Sequence, residues 1–500
     1  MEGKKTLHDY LYENLKEQIL TGYYKYGGTL PSMNQLCETY HVGIRTVRDV
    51  LGELRDQGMI RTEERKPSVI VYRKPEKGDA GSDVLSVLQR KTSVLAVYET
   101  MEHVMPRLFA CSVQACGTQT AMELFRHLKR SRRKEVYTRW KSSSNVLYNL
   151  LDASRNLLFR DIFTSLEIGA RIPFFLEPEY RPPFPSCCSE YDDPMWMAQA
   201  VATGDIQVIQ ERFARMYRSL RHDIKLYLEW IESGIGTGNI EQKSSYSWNA
   251  ERGRDHYYMQ ITRDLIDRIG LGIYPDGSFL PPEAALAREY GVSLATIRRS
   301  MSMLNRLGFC RTYNVKGTQV TLFNDQATLL SMKNKVHKKD TLLYLSGLQF
   351  MALASGPAAL MAVPLIGKGE IGCMEQELAG PYAVPISILM RHIIAALPLE
   401  PYRIILQQVG SILHWGYYYS FYEEGIKACN ELNQISHEAF LCLKAGKAEE
   451  FARLVPQCYC HALELVRDSM AVWGLSEAGL LVTPDESLRL AGGPGEGQQV

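Results

Sequence analysis

A 500-residue chain that is 45% hydrophobic and 23% charged has ordinary globular composition, with room for three to four domains of roughly 150 residues each. Its formal net charge of +1 excludes nucleic-acid or membrane binding driven by bulk charge, so any such function has to rest on locally placed residues. Eleven cysteines at irregular spacing, behind a lysine-bearing N-terminus without a signal-peptide pattern, predict reduced thiols and a cytoplasmic protein. Cys187-Cys188 and Cys458-Tyr459-Cys460 read as packing or exposed thiols rather than metal or redox groups.

The chain repeats itself. Val42-Gly-Ile-Arg-Thr-Val-Arg-Asp-Val-Leu51 returns 250 positions later (292 − 42) as Val292-Ser-Leu-Ala-Thr-Ile-Arg-Arg-Ser-Met301. At the same offset Leu7, Leu11, Leu15 and Ile19 correspond to Tyr257, Ile261, Leu265 and Ile269, each series stepping by four as the apolar stripe of a helix does. Gly22/Gly272, Tyr24/Tyr274, Gly27/Gly277, Leu30-Pro31/Leu280-Pro281, Leu36/Leu286, Leu54/Leu304, Gly58/Gly308 and Arg61-Thr62/Arg311-Thr312 match without a gap. Core residues and turn glycines are what survive, which predicts a shared fold; a shared ligand does not follow from the fold alone.

Taken in order, the first unit (1–73) has a helix ending near Gly22, then a loop through Gly27-Gly28 to Leu30-Pro31-Ser32. Ser32 and Gln35 have capping-box spacing, so Ser32 is expected to cap the second helix, whose free amides there can also take a DNA phosphate. The repeated decapeptide forms a third helix that opens on small, hydroxylic and basic residues and ends near Gly58. Such a helix suits the major groove: its first turn presents Arg forks and Thr hydroxyls while apolar residues behind it hold the core. Met59 to Thr62 and Ser68 to Tyr72 read as strands joined by Glu63-Glu64-Arg65-Lys66-Pro67, which completes a winged helix.

Gly22-x4-Gly27-x2-Leu30-Pro31-Ser32, Val42-x3-Thr46-Val47-Arg48 and Leu54-x3-Gly58 together resemble the DNA-binding domain of the GntR family of bacterial winged-helix transcription regulators. The second unit (251–323) resembles it through Gly272-x4-Gly277-x2-Leu280-Pro281, Val292-Ser293-x2-Thr296-Ile297-Arg298 and Gly308. The resemblance implies contacts to DNA from Thr46, Arg48, Thr296 and Arg298. Where the family has Ser-Arg after the Val, this chain has Gly43-Ile44 and Ser293-Leu294; an arginine that commonly reads guanine is missing, and Arg45 and Arg299 stand beside the gap. The first wing carries Lys66-Pro67-Ser68, the second Lys316-Gly317-Thr318 with a flexible tip. The expected DNA-contacting set is thus Ser32, Arg45, Thr46, Arg48 and Lys66 with Ser293, Thr296, Arg298, Arg299, Lys316, Gly317 and Thr318. The second unit is expected to bind at least as well as the first.

Lys74 to Ser82 is polar and reads as a linker. Helical periodicity dominates 83–232, with Val94 to Cys116, Thr120 to Leu128, Asn145 to Phe175 and Ala198 to Ile231 as helices. The basic run Lys129 to Lys134 reads as an inter-helix loop, and the Pro-rich stretch Pro173 to Pro194 as a cover for a pocket. Leu150-x2-Ala153-x2-Asn156-Leu157 and Ala200-x3-Gly204-Asp205 resemble the all-helical FadR-like (FCD-type) effector domain. That resemblance implies histidine metal ligands at places held here by Leu147, Pro194 and Met216; no metal and no other cofactor is expected. Arg155, Arg160 and Arg171 are the cations available to an acidic effector.

A Gly/Ser-rich linker (233–250) precedes the second winged helix, and a second helical region (326–485) follows it, with Leu397 to Phe421 and Glu438 to Val472 as helices. Lys444-Ala-Gly-Lys447 stands there in place of Ala202-Thr-Gly-Asp205. His392, His414, His437 and His461 do not have ligand spacing. Leu342 to Gly367 lacks charge at a length near a bilayer span, but Gly347, Ser355-Gly356-Pro357 and Pro364 interrupt it, so it reads as a buried helix pair. The tail, 486–500, is expected to be disordered.

The fold class expected is mainly α: two winged helices, each followed by an all-α bundle. The function expected is a sequence-specific transcription regulator, a repressor with a small carboxylate-like organic effector, binding a double-stranded DNA operator as an internal pseudo-dimer or homodimer. The alternative is a DNA-binding or interaction module whose helical domains only associate. Neither a Ser/His/Asp nor a paired-carboxylate or phosphate-loop arrangement stands out, so an enzyme is not expected.

Overall fold

A computed structural model describes residues 7–489 apart from 21–23, 25, 41, 64–65, 74–79, 127, 129–135, 173–189, 192, 236–239, 245, 249, 251–256, 322–334, 381–382, 414–422 and 473. The basic run Lys129 to Lys134, nearly all of the Pro-rich stretch and the tail from 490 lie outside the described residues, while the start of the expected disordered tail, Glu486–Arg489, is instead a helix with Leu488 buried.

Helices α1 (Leu7–Leu20), α2 (Met33–Tyr40) and α3 (Ile44–Asp56) precede strands β1 (Ile60–Arg61) and β2 (Val69–Ile70). Leu11, Leu15 and Ile19, one turn apart, bury against Leu36, Val47, Val50, Leu54 and Ile70. Ser32 caps α2 as expected: its hydroxyl accepts from the Gln35 amide at 3.3 Å and its own amide donates to Gln35 Oε1 at 2.9 Å. The copy is α11 (Tyr257–Gly270), α12 (Glu283–Glu289), α13 (Leu294–Leu307), β3 (Cys310–Tyr313) and β4 (Gly317–Val320). Gly27, Gly58, Gly277 and Gly308 hold φ of 74°, 71°, 77° and 84°, the left-handed region that explains why these glycines recur.

Within the winged helices two expectations need correction. Tyr257 does not continue the buried stripe, since at 60% exposure its ring stands in solvent and the stripe begins at Ile261. The first wing is shorter than read, pairing only Ile60 with Ile70 and Arg61 with Val69. The amides of Val71 and Tyr72 both donate to the Met59 carbonyl, which closes its ladder. The second wing pairs four residues on each strand, from Cys310 with Val320 to Tyr313 with Gly317.

In the first helical region, α4 (Ala80–Gln89) takes up the end of the expected linker; α5 (Lys91–Cys116) is its central helix, followed by α6 (Thr118–Phe125). The two long helices read beyond it are each broken. The first divides into α7 (Val136–Ala153) and α8 (Phe159–Gly169) because Arg155 takes φ 62° and Asn156 Oδ1 caps α8, accepting from Leu158 at 2.8 Å and Phe159 at 3.2 Å. The second divides into α9 (Met195–Ala202) and α10 (Ile206–Ile235) at Gly204, φ 67°, after which Asp205 Oδ1 accepts from Gln207 at 2.9 Å and Val208 at 3.1 Å. The motif Ala200-x3-Gly204-Asp205 is thus a helix stop followed by a helix start.

The second helical region repeats this plan with α14 (Lys335–Ala362), α15 (Lys368–Leu378), α16 (Pro385–Ala396), α17 (Glu400–Ile412), α18 (Glu423–Lys444), α19 (Ala448–Val472) and the short α20 (Glu486–Arg489). Glu438 to Val472 is not one helix, because Gly446 at φ 74° ends α18 as Gly204 ends α9. The apolar segment is one helix rather than a pair. Pro357 sits inside α14, as Pro106 sits inside α5. Gly356 is there by necessity, since a Cβ on it would lie 2.6 Å from the Arg489 carbonyl. Lys338–Leu365 is, among the described residues, the helix long and apolar enough to cross a membrane, and 72% of its apolar window is buried inside the chain.

The two helical regions share one core, in which α5 packs on α14 and α17. Asn156 Nδ2 donates to the Ser346 carbonyl at 2.9 Å and to Gln349 Oε1 at 2.8 Å. Gln114 donates to the Thr483 carbonyl and accepts from the Asp485 amide, while Arg107 donates to the Leu488 carbonyl. Of the stretch read as a second linker, the described part of 240–250 docks on the helical regions through Tyr246, Trp248 and Ala250. Tyr246 and Trp248 are buried, Tyr246 Oη lies 2.8 Å from Ser165 Oγ, and Trp248 Nε1 donates to Asp161 at 3.1 Å. Gln242 fastens it further, its Oε1 accepting from the Thr92 amide and hydroxyl and its Nε2 donating to the Leu88 carbonyl.

Candidate nucleic-acid interface

Each recognition helix exposes its opening turn because its apolar residues, Val47, Val50, Leu51 and Leu54 in α3 and Ile297, Met301, Leu304 and Leu307 in α13, all fall on the opposite face. Arg45 and Arg48 are exposed and Thr46 is half-buried; Ser293, Arg298 and Arg299 are exposed and Thr296 is half-buried. Ser32 at the start of α2 is exposed, as are Lys66, Lys316 and Gly317 on the wings, with Thr318 half-buried. Each copy therefore brings a helix start, a recognition-helix turn and a wing onto the solvent side of one small domain.

The two copies differ in how these groups are held. Gly43 and Ser293 have the same backbone, φ −71° with ψ 151° and 152°, but only Ser293 has a hydroxyl to accept from the Thr296 amide. Arg45 and Arg48 have no ion pair with any described residue. Arg298 does: its Nε donates to Glu283 Oε2 at 2.9 Å. The wings show the opposite pattern. Lys66 Nζ sits 2.8 Å from Glu63 and Arg61 Nε 3.5 Å from it. The hydrogen bond and charge of Lys66, helped by Arg61, hold the Glu63 carboxyl below its ordinary range. Lys316 has no such carboxylate among the described residues, and the second wing is braced instead by Thr312 and Thr318, whose hydroxyls lie 3.0 Å apart. At its tip Val315 is fully exposed at φ 70° and Gly317 takes φ 103°.

Sequence reasoning missed Glu283 and Val315. The only signal for Glu283 was an acid in the first turn of a helix where the first copy has Met33. Val315 had none, because its exposure follows from a three-residue loop whose length the ladder sets.

In the first helical region, Leu147 and Pro194 are buried and Met216 packs against the core. These side chains do not fit a metal ion, and among the described residues no group of three His, Cys, Asp or Glu could hold one. Of the arginines available to an acid, Arg160 is ion-paired with Asp152 and stacks over the Tyr148 ring at 4.8 Å, and Arg155 is on the surface. Glu167 is buried and accepts from Tyr148 at 2.6 Å and Ser144 at 2.7 Å; burial raises its pKa, against those bonds and the charge of Arg171.

A three-helix head with a hairpin wing and an exposed, basic recognition turn defines a winged-helix DNA-binding protein. The model of the gntR family of bacterial regulatory proteins matches residues 7–70 and 257–320, one match on each winged helix. The chain thus carries two DNA-binding domains of the gntR family in tandem, consistent with a tandem GntR-type transcription regulator. Among solved structures it is similar to a GntR protein of Streptococcus agalactiae, at 14% identity and TM-score 0.19, over 41% of this chain and 99% of that one. It is also similar to E. coli McbR/YncC, at 15% identity and TM-score 0.22, over 46% and 99%. A third is Lar, which controls the expression of the Listeria monocytogenes agr system and mediates virulence, at 16% identity and TM-score 0.19, over 43% and 98%. No curated protein matches the chain.

Proposed function

We propose that this regulator is a repressor that grips one asymmetric operator with both of its winged helices. The helical regions serve as an internal pseudo-dimer. The observation that carries this reading is the contact made by α5 with α14 and α17, together with the hydrogen bonds from Asn156, Gln114 and Arg107 across the two regions. A shared core of that kind holds two DNA-reading heads in one molecule, the role that two subunits play in a symmetric dimer. Unlike recognition turns, Arg45-Thr46-Val47-Arg48 against Ala295-Thr296-Ile297-Arg298-Arg299, would select unlike half-sites about one helical turn apart.

Control by a small organic effector would require a ligand that binds two placements of the heads unequally. A second reading, in which the helical regions only associate, is favoured by Arg160 being already paired and by Leu147, Pro194 and Met216 in the ligand places. A thermal-shift screen against metabolite acids separates the two. Selection of random duplexes on the purified full chain tests the operator. Enrichment of two unlike half-sites is the expected result; a perfect palindrome or no enrichment refutes it.

A further inference from the structure

The geometry points to Glu283 as a specificity-determining residue that commits Arg298 to reading a base edge, whereas Arg48, with no partner of this kind, is committed to a phosphate. The inference rests on the proposal that both winged helices engage DNA.

Arg298 donates from Nε to Glu283 Oε2 at 2.9 Å, with side chains 67% and 41% exposed. That bond engages the Nε edge of the guanidinium and restrains it, while the outward N–H bonds of the two Nη groups remain available as a fork. A fork of parallel N–H donors is what guanine O6 and N7 accept in the major groove. The same carboxylate cancels most of the positive charge at this point of the surface and repels a phosphate brought to it. An arginine held in this way gains little from the backbone and keeps its directional hydrogen bonds.

At the equivalent place the first copy has Met33, which is 41% exposed and offers no charge. Arg48 therefore retains its charge on an exposed stem, which suits a phosphate and releases a counterion on binding. One acid present in one copy thus divides two arginines of equal sequence position into a reader and an anchor. Glu283 is a positioning residue here, since it acts through Arg298.

The test uses the full chain and its selected operator, with dissociation constants measured by fluorescence anisotropy across a salt series on operator and on a duplex with the second half-site scrambled. Arg298→Ala is expected to lose ~10-fold or more of the preference for the intact half-site with the salt slope nearly unchanged. Arg48→Ala should weaken both duplexes alike and reduce the slope by about 1. Glu283→Met, which installs the residue of the first copy, should tighten binding to the scrambled duplex, steepen the slope by about 1 and erase the preference. Met33→Glu should do the reverse in the first head, making the slope shallower by about 1.

A merely structural role for Glu283, at the start of α12, would change the melting temperature without moving the slope. Glu283→Gln, which keeps the hydrogen bond and removes the charge, guards against a folding defect in the Met variant and should steepen the slope alone. If the parent enriches a duplex and neither Glu283 variant changes slope or preference, the inference is wrong. If the parent enriches no duplex at all, the two-headed reading falls first and takes this one with it.

Discussion

Asn156 is the residue whose removal should most plainly separate the two helical regions. It is 5% exposed, its Oδ1 caps α8 through the Leu158 and Phe159 amides, and its Nδ2 donates to the Ser346 carbonyl and Gln349 Oε1 across the junction. Asn156→Ala removes a cap, worth about 1 kcal/mol. It also orphans buried acceptors at about 1 to 3 kcal/mol each. The Ser346 carbonyl belongs to a helix and Gln349 keeps its bond to the Val482 carbonyl, so the lower end of that range applies. The sum is roughly 3 kcal/mol. Asn156→Asp should keep the cap but turn the two donated bonds into a buried carboxylate oxygen facing two acceptors, which adds a desolvation and repulsion cost to their loss. Urea unfolding followed by circular dichroism is the assay, paired with binding to the full operator and to each half-site alone. Both variants should unfold earlier and lose affinity for the full operator while each half-site is bound as before. A loss below about 1 kcal/mol, or equal weakening on half-sites, would refute the argument that this junction sets the spacing of the heads.

Three further outcomes are expected. Gly43→Ser should stabilise the first winged helix by about 0.5 to 1 kcal/mol in thermal unfolding, because Gly43 already has the Ser293 backbone and a Cβ there meets nothing within 4 Å. Trp248→Ala should cost about 3 to 5 kcal/mol and expose 240–250 to limited proteolysis, since it empties a buried site and leaves Asp161 without its indole partner. Burial, reinforced by Arg107, lowers the His103 pKa from 6.5 to about 4. The folded chain thus refuses a proton that the unfolded chain accepts, and stability should fall as pH drops from 6.5 toward 4. Melting scans of His103→Gln beside the parent should show a shallower fall over that window, whereas parallel curves would remove His103 from the account.

The winged helices were legible because short-range chemistry sets them. Leucines four apart, glycines that need positive φ, and Ser32 three before Gln35 each act within a few residues, and repetition at one offset doubled every signal. The helical regions were less so. Asn145 to Phe175 carries an uninterrupted apolar stripe, and what breaks it is Asn156 turning its amide toward α14, a partner some 190 residues further along the chain. The strap at 240–250 has linker composition; its two aromatics enter the core, where Ser165 and Asp161 meet their polar atoms. At the interface, the exposed set could be read from the pattern of α3 and α13. The pairing of Arg298 with Glu283 joins two helices across a turn, and no periodicity announces it.

A regulator assembled from identical subunits must accept every substitution at both ends of its target at once, so its binding address can drift only symmetrically. Here Gly43 has diverged from Ser293 and Met33 from Glu283 within one polypeptide. In the proposed two-headed grip, each end can be retuned alone while the other keeps its hold. Under the proposed internal pseudo-dimer, in which α5 and α14 travel together in one chain, occupancy should rise with the first power of protein concentration and no foreign subunit can be exchanged into the pair.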